Sequence, residues 1–178
     1  MTAMVASDYF AVFDVPPAFA QDPTELERRY LEMQTRVHPD RHAHQDAAQR
    51  RAAVEQAARI NEAYRNLKDP LTRSTHLLAL RGVDVLSAGS IPLPADFLFQ
   101  QMSWHEDLEA ARKAGDQDRL TRLAESLLAE RERLVQALIR TLDEERDDNA
   151  AAQRVRQLMF LRRLIEQAQA AIEEWEFS

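Results

Sequence analysis

All seven prolines and all three glycines fall at the ends of helically periodic runs or between them. Proline has no amide donor and forces the residue before it out of the α region, so an interior proline ends a helix. Pro16-Pro17 and Pro23 mark an early loop, Pro39 cuts an otherwise helical run, and Pro70 separates two helical patterns. Pro92 and Pro94, with Gly82 and Gly89, make residues 82–94 a linker. Sustained alternation is missing, β-branched residues are few and no internal repeat occurs, so no strand is expected. The fold class read from this pattern is all-α, with modules at 1–81 and 95–178.

A short helix is expected over Asp8–Asp14. A second starts near Pro23, capped by Asp22, and stops near Val37, with Leu26, Tyr30, Met33 and Val37 on one face. A third covers about Asp46–Leu67, with Ala53, Ala57, Ile60, Tyr64 and Leu67 on one side. A fourth, Leu71–Leu80, is closed by Gly82. Beyond the linker the spacing predicts three longer helices over Ala95–Ala114, Asp116–Asp143 and Asn149–Trp175. The last carries Leu158, Leu161, Ile165, Ala168, Ile172 and Trp175 at alternating steps of three and four, as the seam of an antiparallel three-helix bundle requires.

Composition removes several functions. The 178 residues include no cysteine, which excludes a disulfide scaffold, a thiolate zinc site, a cysteine nucleophile and cysteine ligation of an iron–sulfur cluster. No run approaches the roughly 20 apolar residues of a membrane span. The first residues lack a basic n-region, and no Arg or Lys precedes Arg28, so a cytoplasmic protein is expected. The net charge of -7 argues against general nucleic-acid binding. Residues 1–81 hold 11 basic and 11 acidic groups, whereas 82–178 hold 12 and 19, which suggests two modules with different partners.

His38-Pro39-Asp40 lies between two amphipathic helices, with Arg28, Arg29 and Arg36 before it and Arg41 after it. A stiff turn tip ringed by arginines suits docking on an acidic surface. The plainer reading is a helix stop, with Asp40 as a turn residue and the arginines as a solvated face. His38, Asp40, His42 and His44 could instead converge on a metal and build a hydrolase, although clustered loop histidines are more often solvated. His76 and His105 are read as surface or interfacial. On the first long helix, Phe97, Gln101, Trp104, Leu108 and Ala111 already complete a bundle-facing stripe. Leu98, Phe99 and Met102 are a surplus that either forms an exposed patch, joined by Phe160, or widens the core face. The acidic run 143–148 reads as a solvated helix–helix turn, capped at Asp148 or Asn149.

Residues 8–81 resemble a J-domain, and the whole chain resembles the HscB family, the J-type co-chaperones of iron–sulfur cluster assembly. The resemblance is carried by Asp8-Tyr9-Phe10 with Phe13, Tyr30 eight residues before His38, His38-Pro39-Asp40-Arg41, Ile60-Asn61-Glu62-Ala63-Tyr64 with Leu67, Pro70-Leu71 with Arg73, and Leu77-Leu78. In the second half it is carried by Phe97-Leu98 and the region of Phe160-Leu161.

That likeness implies a J-domain at 1–81, a linker at 82–94 and a scaffold-binding three-helix bundle at 95–178. It implies docking on an HscA-type, DnaK-like ATPase chaperone through His38, Pro39, Asp40, Arg41, Arg36, Arg28, Arg29 and Tyr30. It implies binding of an IscU-type cluster scaffold through Leu98, Phe99, Met102, Glu106 and Phe160. Such a protein stimulates its partner's ATP hydrolysis and is neither an enzyme nor a cofactor carrier. The alternative within the resemblance is a J-domain adaptor for another client. Glu27 and Glu32 stand where many J-domains are basic, which fits a dedicated chaperone partner. Ser103 and Ala110 stand where the HscB family tends to be acidic, and Ser74 and His76 where J-domains usually have Ala and Tyr.

Overall fold

Six aspartates, Asp8, Asp22, Asp46, Asp69, Asp116 and Asp147, cap the first turns of helices among the described residues, whereas the helix after Pro94 has no side-chain cap. The computed structural model describes residues 8–37, 46–87 and 91–176. The chain packs as two units, 1–82 and 83–178. All regular structure among the described residues is helical.

In the first unit, α1 (Tyr9–Val12) is a single turn whose amides are capped by Asp8, which accepts from Phe10 N at 2.9 Å. It is shorter than the expected 8–14, because Asp14 takes a positive φ of 51°. α2 (Pro23–Val37) has Asp22 accepting from Thr24 N at 2.9 Å, as a cap residue does. α3 (Ala47–Lys68) is capped by Asp46, and α4 (Pro70–Leu80) by Asp69 with Pro70 in its first turn. α2 and α3 form an antiparallel hairpin. Tyr30 stacks on Tyr64 with centroids 4.0 Å apart and planes 11° apart, and the Tyr30 hydroxyl donates to Asn61 Oδ1 at 3.0 Å. Gln34 donates to the same oxygen. Phe10, Phe13, Phe19, Ile60, Leu67, Leu77 and Leu78 form the buried core.

Two expectations for this unit need correction. Of the α2 set, Leu26 and Val37 are buried, while Tyr30 and Met33 are only half-buried. His76, read as a surface or interfacial residue, is buried at 7% exposure. Its Nε2 accepts from Tyr9 N at 3.1 Å, and its ring lies 4.4 Å from that of Tyr9. A buried imidazole is tolerated there because it supplies the acceptor that an otherwise orphaned N-terminal amide needs.

In the second unit, α5 (Ala95–Ala114) ends at Gly115, whose φ of 64° is the left-handed stop that a glycine permits. α6 (Gln117–Ile139) is capped by Asp116 and buries the whole expected row Leu120, Leu123, Leu127, Leu134 and Leu138. The α-helix does not run on to Asp143. Residues Arg140–Glu144 form a π-helical turn, with Glu145 N bonded to Arg140 O at 2.9 Å. The wider turn lets the adjacent Thr141 and Leu142 both face inward, at 1% and 0% exposure. α7 (Asp148–Glu176) is capped by Asp147, which accepts from Ala150 N at 3.0 Å, rather than by Asp148 or Asn149. Leu158, Leu161, Ile165 and Ala168 are buried as expected, Ile172 is half-buried, and the Trp175 side chain lies outside the described residues.

Candidate functional site

The charged face of α2 is built from ion pairs one turn apart. The Arg28 guanidinium bonds Glu25 at 2.7 Å and also Glu32. Arg29 bonds Glu25 at 2.6 Å. Hydrogen bonds from Arg28, then Arg29, hold the Glu25 carboxyl down to about 2, and the bonds of Arg28 to Glu25, then Glu32, push Arg28 up. Glu27 is exposed on this helix, and so is Arg36.

Arg29 and Tyr30 prove to serve the fold. The Arg29 Nη1 donates to Phe13 O at 2.7 Å and Asp14 O at 2.6 Å, satisfying carbonyls left over where α1 ends. Tyr30 is the hairpin strut described above. Both residues brace the first unit, and both remain partly exposed on it. Arg28 stays on the surface, with its charge compensated by Glu25 and Glu32. His38, Pro39, Asp40 and Arg41 lie outside the described residues, as do His42 and His44 and hence the metal-site reading. Among the described residues no cluster of three His, Asp or Glu could hold a metal ion.

The second candidate surface lies on α5. Phe97, Trp104, Leu108 and Ala111 are buried at 5%, 6%, 1% and 0% exposure, so the helix already has its core face. Leu98, Phe99 and Met102 point away from it and are 45%, 74% and 61% exposed. Glu106, one turn beyond Met102, is exposed too. Phe160 on α7 is half-buried. Its ring meets Phe97 edge-on at 5.8 Å and 88°. On another side it meets His105 at 5.5 Å and 74°. Of the two readings left open by the sequence, the exposed patch is the one observed. The ring partners of Phe160 were not legible, because no local periodicity links residues on α5 and α7.

A family model of the DnaJ domain matches residues 8–76, and one described as the HSCB C-terminal oligomerisation domain matches residues 93–169. The co-chaperone protein HscB homolog of Ralstonia nicotianae is 44% identical, over 94% of this chain and 96% of the relative. The chain belongs to the HscB family. Another HscB homolog, from Bordetella pertussis, is 40% identical over 94% of this chain and 98% of its own. Chaperone HscB from Vibrio cholerae superposes with a TM-score of 0.79 at 31% identity, covering 93% of this chain and 98% of that one. The human co-chaperone HscB, at 21% identity, shares the fold, with a TM-score of 0.84 over 96% of this chain and 84% of its own. As an HscB-type protein, this chain is a J-type co-chaperone of iron–sulfur cluster assembly. Among the described residues no helix is long and apolar enough to cross a membrane.

Proposed function

We propose that the protein carries an IscU-type cluster scaffold to an HscA-type, DnaK-like chaperone and stimulates that chaperone's ATP hydrolysis, which promotes cluster transfer. The scaffold docks on Leu98, Phe99, Met102, Glu106 and Phe160. The observation that carries this reading is the second apolar flank of α5. A bundle helix needs one buried face, and this helix holds three large apolar side chains in water beside it. Covering them releases their hydration cost, and that gain is the source of affinity.

The chaperone docks on His38, Pro39, Asp40 and Arg41, with Arg28 and Arg36 steering the approach and Arg29 and Tyr30 keeping the hairpin in shape. Pro39 fixes its own φ, so Asp40 meets partner donors with little ordering cost. The protein does no chemistry of its own: it changes the rate of a reaction inside its partner, and the cluster is cargo.

Single-turnover ATPase measurement, with and without scaffold, tests the reading. Asp40→Asn should abolish stimulation and leave scaffold affinity unchanged, because the two surfaces lie on different units. Full stimulation by the variant would refute the assignment of the tip. Stimulation of the chaperone without affinity for an IscU-type scaffold would make the protein an adaptor for another client.

A further inference from the structure

We infer that His105 is a positioning residue of the docking face, its imidazole holding the Phe160 ring in the orientation that the scaffold meets. The inference rests on the reading of the α5 flank as the scaffold surface. His105 stands seven residues after Leu98 and three after Met102, so the three lie in one row along the helix. It is exposed, as they are. It therefore continues the apolar flank and carries it to the edge of α7.

The rings form a row. Trp104 meets Phe97 edge-on at 5.9 Å and 74°, and Phe97 meets Phe160 edge-on at 5.8 Å. Those two inner rings are buried and fixed by the core. His105 meets Phe160 from outside at 5.5 Å, again edge-on. Edge-to-face contact is a preferred geometry for aromatic pairs. Phe160 is thus held between a ring that belongs to the core and one that belongs to the surface. Without the outer ring, its χ angles would have to be ordered when the partner arrives, and that ordering lowers affinity.

The test is a titration of an apo IscU-type scaffold against full-length variants, with melting curves recorded for each. His105→Ala should weaken binding by about three- to tenfold, the factor that one aromatic pair is worth. His105→Phe keeps a ring edge and should restore wild-type affinity. Phe99→Ser, run alongside, should weaken binding whether or not His105 matters. Wild-type affinity in His105→Ala beside a weakened Phe99→Ser overturns the inference and leaves the docking face standing. Wild-type affinity in both variants overturns the docking face and the inference with it. Weak binding in both His105→Ala and His105→Phe would mean that the imidazole contacts the scaffold directly, and positioning would be refuted.

Discussion

The α2 face and the α5 flank are both candidates for partner contact, and the chain prepares them differently. On α2, charge is compensated within the helix: Glu25 serves Arg28 and Arg29, and Glu32 serves Arg28 again. On α5, Leu98, Phe99 and Met102 remain in water. Charge can be balanced locally by a carboxylate one turn away and still be felt by an approaching partner. Apolar surface has no such local remedy; only coverage removes its cost. Under the proposed function, the first surface steers the partner and the second supplies affinity.

The largest break in that comparison should come from Phe99→Ser. Removing the most exposed of the apolar rings should weaken scaffold binding by about thirtyfold, the worth of roughly 2 kcal/mol of apolar burial, with no change in melting temperature. Isothermal titration checks it, and a shift in melting temperature would mean that the ring is part of the fold. A smaller effect is expected of Arg29→Ala, which strips two carbonyls of their donor. It should cost the first unit about 1–2 kcal/mol and leave scaffold affinity alone. Amide exchange in α1 and α2 would report the loss.

The smallest effect concerns pH. Burial pushes His76 below its ordinary value, against a smaller opposite pull from Asp8. The folded state therefore holds its imidazole neutral while the unfolded chain, near 6.5, takes up a proton. Its contribution is whole above that unfolded value and is lost as pH falls from there through the lower folded value. Urea unfolding between pH 7.5 and 5 should show stability falling in wild type. His76→Gln keeps an acceptor without titrating in that range and should flatten the slope. An unchanged slope would remove His76 as its cause.

Helix ends were legible because they are chemical: Asp22 caps as read, Asp46 and Asp116 cap where a helix was expected to open, and Gly82 and Gly115 have the positive φ of a stop. The surplus on α5 was legible because one helix can be counted by itself. The π-helical turn at 140–144 was not, since it depends on the burial of two adjacent side chains by other helices. For the same reason, the burial of His76 and the carbonyl contacts of Arg29 were not legible. Their partners, Tyr9 and the carbonyls of Phe13 and Asp14, are distant in sequence, so a polar residue on a pattern looks solvated.

Trp104 stands two rings inward from Phe160, at the sheltered end of the aromatic row. Indole emission responds to the packing around it, so a disturbance at the outer ring has an optical witness already built into the chain. With Trp175 replaced by phenylalanine, the moment a passenger boards becomes something to be timed in a stopped-flow cell, with no dye attached.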